Sequence, residues 1–82
     1  MNVETMIEWL SELPKKYDIC ISEYTSVVLD DDKDKEYFVV LDDPIIGLIK
    51  NDDHKEVRFV TSTSEERVLL DMEKGKKWRK WA

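Results

Sequence analysis

Three aspartates have a spacing that could bind calcium. Asp30, Asp32 and Asp34 alternate with other residues, as the first ligands of a calcium-binding loop do. However, Lys35 stands where such a loop needs a glycine for its sharp turn, and Leu41 stands where it needs a bidentate glutamate. We therefore interpret this stretch as a solvated turn between strands and expect no bound metal.

Few residues in the chain are suited to catalysis. His54 is the only histidine, and it lies in the charged stretch NDDHKE, where it could carry protons together with Asp52 or Asp53. Cys20 is the only cysteine, and one cysteine with one histidine falls short of the four ligands of a zinc site. The two glycines are too few for a loop that cradles phosphate groups. We predict that the protein is not an enzyme and uses no cofactor; a small enzyme centred on His54 is the alternative.

The end of the chain combines cations with indole rings. The segment from Lys74 to Lys80 contains five cations and no acid. Lysine and arginine neutralise phosphates and tryptophan stacks on bases, so this segment is a candidate for binding nucleic acid. We favour the alternative that both tryptophans, three residues apart, pack one face of a helix on the protein's own core. The candidate nucleic-acid-binding residues are Lys74, Lys76, Lys77, Trp78, Arg79, Lys80 and Trp81.

The rest of the chain is strongly acidic. The net charge is −6, and the five C-terminal cations leave −11 on the remaining residues. Such a surface repels nucleic acid and attracts a basic protein, so we expect acidic loops to bind or steer a protein partner. One such partner is a basic protein that handles nucleic acid. The module would act as its inhibitor or as an adaptor for it. The candidate partner-binding residues are Asp30, Asp31, Asp32, Asp34, Asp42, Asp43, Asp52 and Asp53.

Length and composition indicate one small cytoplasmic domain over residues 1–82. Hydrophobic residues make up 41% and charged residues 39%, a balance typical of a globular chain. A single cysteine excludes an internal disulfide and fits a reducing compartment. The sequence has neither an apolar run long enough to span a bilayer nor the pattern of a secretory signal.

A helix is predicted at residues 2–13. Asn2 is a good N-terminal cap and Pro14 ends the pattern. The apolar residues recur at intervals of three and four, so they form a stripe that faces a core. The stripe consists of Val3, Met6, Ile7, Leu10 and Leu13, and Trp9 lies at its border.

A second helix is predicted to begin near residues 62–66, where two overlapping capping boxes precede an apolar pattern. Val68, Leu69 and Met72 share one face of this helix. Gly75 leaves three alternatives for the rest of the chain. It could end the helix and leave a tail, it could lie inside one long helix, or it could belong to the turn of a hairpin.

Between the helices the sequence predicts antiparallel strands. Asp18–Leu29 is long enough to pair with most of Glu36–Ile49, and the stretch VRFVT adds a further strand. The tripeptide DDP is either a turn, which gives four strands, or a bulge, which gives three, and we favour three. The predicted fold is therefore α+β, with an N-terminal helix, an antiparallel meander sheet and a C-terminal helix in the order α-β-β-β-α.

Both faces of this sheet are apolar. Tyr37, Val39 and Leu41 lie on one face of their strand, and Phe38 and Val40 lie on the other. Three arrangements could cover the second face: one helix on each face, the tryptophan-bearing tail, or a second copy in a homodimer through the sheet. We therefore predict a non-enzymatic protein-interaction module, with nucleic-acid binding through residues 74–81 as the alternative.

Overall fold

The protein, represented by a computed structural model, is described at residues 1–25, 34–75 and 77–81. A short 3-10 turn at Ser62–Ser64 precedes the second helix. The elements are α1 (Val3–Glu12), β1 (Asp18–Ser22), β2 (Lys35–Asp42), β3 (Ile45–Asn51), β4 (Glu56–Thr61), α2 (Glu65–Glu73) and β5 (Trp78–Lys80). The predicted α+β class is confirmed, but the sheet differs from the predicted one in strand number, order and direction.

The described strands form one mixed sheet in the order β1-β4-β3-β2-β5. Strands β2, β3 and β4 are antiparallel, whereas β1 is parallel to β4 and β5 is parallel to β2. The predicted antiparallel meander therefore holds for β2, β3 and β4 only, and the prediction is wrong for the parallel strands β1 and β5. The predicted strand Asp18–Leu29 ends at Ser22, and its residues 26–29 lie outside the described residues. Because β1 and β2 point in the same direction, they cannot form the predicted hairpin.

The DDP tripeptide is a turn between β2 and β3, so the three-strand alternative is wrong. The Asp43–Pro44 peptide bond of this turn is cis. A bulge also occurs, but it lies just before the turn: the register shifts between Val39 and Asp42, and Leu41 has a φ of +49°. A second register shift, between residues 45 and 47 of β3, occurs on the opposite side of the turn.

The two helices begin differently. The Asn2 side chain accepts a hydrogen bond from the Thr5 N–H (2.9 Å), so the predicted cap of α1 is confirmed. The capping boxes predicted at residues 62–66 do not begin α2, since its cap residue is Ser64 and not Ser62 or Thr63, and Ser64 makes no side-chain cap bond. The Ser64 hydroxyl instead accepts a hydrogen bond from the Tyr24 N–H (2.7 Å), which ties the chain after β1 to the start of α2.

The apolar stripe of α1 is narrower than the sequence predicts. Trp9 is the most deeply buried residue of the helix, at 6% exposure, although its position in the sequence is at the border of the stripe. Val3 and Ile7 are 76% and 60% exposed, so their predicted place in the core is wrong. The residues of α1 and its C-terminal cap that contact the core are Met6, Trp9, Leu10 and Leu13.

Gly75 follows the end of α2 and has a φ of +71°, a conformation that favours glycine. The helix ends at Glu73, so of the three alternatives the helix followed by a tail is confirmed, and the single long helix and the hairpin are wrong. The predicted C-terminal helix is nevertheless not the last element. The tail forms β5, which pairs with β2 at Tyr37, Phe38 and Val39.

One helix covers each face of the sheet. On the α1 face the core contains Ile45, Leu48, Val57 and Phe59, with Phe38, Val40 and Trp81 packed against it. On the α2 face it contains Val39, Ile46, Ile49, Val60, Val68 and Trp78, with Tyr24, Tyr37 and Met72 packed against it. The apolar faces inferred from the sequence are therefore covered within one chain, and covering them does not require a second copy.

Candidate protein-interaction surfaces

Three of the candidate partner-binding aspartates meet at the end of the sheet where β3 turns into β4. The Asp52 N–H donates to the Asp34 carbonyl oxygen (2.8 Å). The Asp52 carboxylate accepts a hydrogen bond from the Tyr17 hydroxyl (2.6 Å) and lies 3.7 Å from Lys50 Nζ. Asp53 is exposed beside it. The Asp52 carboxylate is therefore engaged with Tyr17 and Lys50, and Asp53 is more accessible to a partner.

The remaining described aspartates of this set lie at the opposite end of β3. The amino terminus of Met1 forms an ion pair with the Asp42 carboxylate (2.9 Å) and donates to the Asp43 carbonyl oxygen (2.8 Å). Strand β3 has seven residues, so about 20 Å of strand separates the two acidic turns. Asp30, Asp31 and Asp32 lie outside the described residues. The described acids of this set thus form two groups and not one continuous row.

The two C-terminal tryptophans pack on opposite faces of the sheet. Trp78 is 6% exposed on the α2 face, where its ring meets those of Tyr24 (centroids 5.1 Å apart) and Tyr37 (5.3 Å). Trp81 is half-buried on the α1 face and packs edge-to-face on Phe38 (4.8 Å). Both indoles therefore belong to the fold.

Of the described cations of this segment, Arg79 and Lys80 lie on the outer strand β5, whereas Lys74 caps the end of α2 and Lys77 precedes β5. Arg79 donates to a Glu36 carboxylate oxygen (2.6 Å), and its guanidinium carbon lies 4.9 Å from the centre of the Phe38 ring. Lys74, Lys77 and Lys80 are exposed, and Lys76 lies outside the described residues. Charged side chains on a short edge strand hinder pairing with other chains, so this edge of the sheet is protected.

His54 lies beside Asp53, one of its two predicted partners, but both side chains are exposed. The His54 side chain is 67% exposed, with Nε2 3.6 Å from an Asp53 carboxylate oxygen. Cys20 is half-buried in β1, and its Sγ lies 3.8 Å from the Val57 carbonyl oxygen. Within residues 1–25, 34–75 and 77–81, no group of three or more His, Cys, Asp or Glu side chains could hold a metal ion.

Asp71 is a charged residue that the structure buries almost completely, at 2% exposure. Its carboxylate accepts a hydrogen bond from the Tyr24 hydroxyl (2.6 Å), and the Tyr24 ring packs on Trp78. Burying a carboxylate is costly unless it is hydrogen-bonded. We therefore interpret this contact as a structural link between α2 and the chain after β1.

This link makes Tyr24 a marker of alkaline unfolding. Burial, together with the hydrogen bond to Asp71, raises the pKa of Tyr24 from 10.0 to about 12. Because the folded state prefers the neutral phenol, Tyr24's contribution to the free energy of unfolding is present below pH 10 and is lost as the pH rises to about 12. We expect tyrosinate absorbance at 295 nm to show a late step that Tyr24→Phe removes and Tyr17→Phe retains. If this late step persists in Tyr24→Phe, the assignment is wrong.

A row of exposed acids runs along the outer side of α1. Glu4, Glu8 and Glu12 are exposed, spaced four residues apart, and form no ion pair with the described residues. Like charges at this spacing destabilise an isolated helix. The exposed side chains of Val3 and Ile7 lie on the same helix. We call these five residues the α1 ridge.

A second exposed apolar surface lies at the β1 edge of the sheet. Ile19 and Ile21 are 55% and 66% exposed. They are in register with Val57 and Phe59 of β4, so their side chains lie on the α1 face of the sheet. Unlike Val57 and Phe59, they lie outside the buried core of that face. On its other side β1 pairs with no strand of the described residues. We call residues 18–22 the β1 edge.

Comparison with protein families, curated proteins and solved structures finds no match to this chain. Inferences about its activity therefore depend on its own surfaces. The helices in the described residues are too short, or insufficiently apolar, to cross a membrane.

The sequence contained signals for both surfaces that its interpretation missed. The stripe predicted for the first helix spans too wide an arc for one helix face, since Val3 and Ile7 lie far around the helix from Trp9. In the β1 edge, Ile19 and Ile21 alternate with smaller residues and so point to one face of the strand. The sequence does not indicate that this strand is at the edge.

Proposed function

We propose that this protein is a non-enzymatic, acidic interaction module that binds a basic protein through the α1 ridge. The observation that carries the proposal is the row of three exposed glutamates with no ion pair among the described residues, on the same helix as two exposed apolar side chains. Apolar contacts with a charged rim are typical of transient protein interfaces. The apolar side chains would supply affinity, and the acids would set partner preference and association rate.

The α1 ridge contributes little to the stability of the fold, which supports a role in binding. Successive glutamates of the row are about 6 Å apart along the helix axis, so each repels its neighbour. Val3 and Ile7 bury little apolar surface in this fold, and so the fold gains little from them. Cationic side chains of a partner would relieve the repulsion between the acids.

The acidic turns would serve this function at longer range. Asp53 and Asp43 are exposed at opposite ends of the sheet, so they add to the negative field that guides a basic partner. If the carboxylates stand in for phosphates in a groove that handles nucleic acid, a polyanion must compete with the module. Heparin competition therefore tests whether the module acts as an inhibitor of such a partner.

Nucleic-acid binding through residues 74–81 has less support. Trp78 is buried, and Trp81 is engaged with Phe38, so the stacking surfaces that the proposal needs are used by the fold. Arg79 is paired with Glu36. A mobility shift with single-stranded DNA or RNA at low salt would favour this alternative, and its absence would exclude it.

The interaction with a basic partner is tested by capture from an extract of the native host. The test variant carries Glu4→Gln, Glu8→Gln and Glu12→Gln; the control carries Glu65→Gln, Glu66→Gln and Glu73→Gln, which removes the same charge from exposed positions of α2. We expect basic proteins that both the wild type and the control capture, and that the test variant captures about tenfold less. Heparin and high salt should release them.

A further variant, Ile7→Ser, separates apolar contact from charge. It should weaken capture while leaving the net charge and the salt dependence unchanged. The proposal is overturned if the test variant and the control retain the same proteins, or if neither heparin nor salt releases what is captured.

A further inference from the structure

The β1 edge has backbone groups that point away from the sheet. The Asp18 N–H donates to the Lys55 carbonyl oxygen (3.0 Å), so the N–H and C=O groups of residues 18, 20 and 22 face β4. Because these directions alternate along a strand, the N–H and C=O groups of Ile19 and Ile21 point outward. Within the described residues they have no strand to pair with.

The two edges of the sheet differ in their protection. The outer strand β5 has three residues, and its exposed positions are Arg79 and Lys80. Strand β1 has five residues, and its central three, Ile19, Cys20 and Ile21, contain no charge and no proline. Short length and charge are the usual means of preventing edge-to-edge pairing, and β1 lacks charge at its centre.

The central three residues of β1 are symmetric, with an isoleucine on each side of Cys20. In an antiparallel pair of two β1 strands centred on Cys20, Ile19 lies opposite Ile21 of the second copy, and Ile21 lies opposite Ile19. These are the residues whose backbone groups point outward, so each pair exchanges two hydrogen bonds. Asp18 lies opposite Ser22 of the second copy, so no two like charges face each other across the pair.

We propose that the occupant of the β1 edge is a second copy of this chain, joined by antiparallel pairing of β1 with β1 about a two-fold axis at Cys20. The two sheets then become one, and the four isoleucines form a single apolar cluster on the α1 face. Such an interface is isologous and closes as a dimer. It is small, so the dimer is weak and depends on protein concentration.

Electrostatics gives this dimer a distinctive salt dependence. Each copy carries a net charge of −6, so two copies repel each other and added salt screens the repulsion. Dimerisation should therefore strengthen with salt, whereas binding of a basic partner to the α1 ridge should weaken. The two proposals also depend on different residues, so either can fail without the other.

Sedimentation equilibrium of the intact protein tests the dimer. We expect a monomer–dimer equilibrium whose dissociation constant falls several-fold as NaCl is raised. Ile21→Lys adds a charge at the centre of the edge and should leave the protein monomeric; Ile7→Lys, a matched change at an equally exposed position of α1, should not. Both side chains are exposed, so both variants should fold, which circular dichroism checks.

Oxidation of Cys20 tests the register. Cys20 of each copy would form a non-hydrogen-bonded pair with a Cα separation of about 4.5 Å, which is within disulfide range. Diamide takes up the two thiol hydrogens and should produce a disulfide-linked dimer at low protein concentration, and Ile21→Lys should abolish it. A monomer at all concentrations, a dimer that Ile21→Lys leaves intact, or a dimer without Cys20 cross-linking would each overturn the proposed pairing.

Discussion

A chain that ends at Glu73 is expected to be unfolded. The truncation removes β5 and, with it, the Trp78 side chain that fills the α2 face between Tyr24 and Tyr37. Truncating a buried tryptophan to alanine costs about 3–5 kcal/mol by itself. A domain of 82 residues has a total stability of about 4–12 kcal/mol, so this loss alone is comparable to the lower end of that range.

The truncation removes further contacts in addition to Trp78. The backbone pairs that β5 forms with β2 are lost, as is the bond from the Trp81 N–H to the Val39 carbonyl oxygen (3.0 Å). The Phe38 ring also loses its contact with Trp81. We therefore expect loss of near-ultraviolet circular dichroism and of amide dispersion in NMR spectra, and the same result, less completely, for Trp78→Ala.

A charge variant separates the strand from its cations. Lys74→Gln with Lys80→Gln removes two exposed cations and leaves the β5 backbone and both indoles in place. This variant should keep its near-ultraviolet signal and unfold within about 1 kcal/mol of the wild type. A folded chain after truncation at Glu73 would show that β5 is dispensable and that the tail is an appended segment.

The last strand shows why local patterns predicted the helices better than the sheet. Trp78 and Trp81 are three residues apart, which on a helix places both side chains on one face. On a strand the same spacing places them on opposite faces. The sequence cannot distinguish the two arrangements because the choice depends on the free edge of β2, which the segment reaches only in the folded chain.

The position of β1 in the sheet also depends on a partner strand that is distant in the sequence, so it could not be predicted. Its apolar alternation predicts a strand, but nothing in residues 18–22 specifies a parallel partner nearly forty residues away in β4. The start of α1 was predictable because Asn2 and Thr5 are local neighbours. Only part of the α1 ridge could be predicted. The spacing of the glutamates follows from the sequence, whereas the exposure of Val3 and Ile7 depends on how the helix packs on the sheet.

Gly47→Ala is expected to destabilise the protein by about 2–3 kcal/mol, although alanine is ordinarily preferred to glycine inside a strand. A Cβ at this position would lie 2.7 Å from Cζ3 of Trp78, 3.1 Å from its Cη2 and 3.2 Å from the Phe38 carbonyl oxygen. The absence of a side chain at Gly47 therefore lets the Trp78 indole pack close to β3. An isolated glycine within an apolar strand is the sequence signal for such a close approach.

A double-mutant cycle with Trp78→Phe identifies the cause. Phenylalanine lacks the outer indole atoms that the new Cβ would meet, so Gly47→Ala should cost about 1 kcal/mol or less in that background. The remaining cost reflects the Phe38 carbonyl oxygen, which the second substitution does not move. Urea unfolding of the four chains, followed by circular dichroism, measures the coupling. Equal costs of Gly47→Ala in both backgrounds would mean that the backbone, and not the indole, excludes a side chain at residue 47.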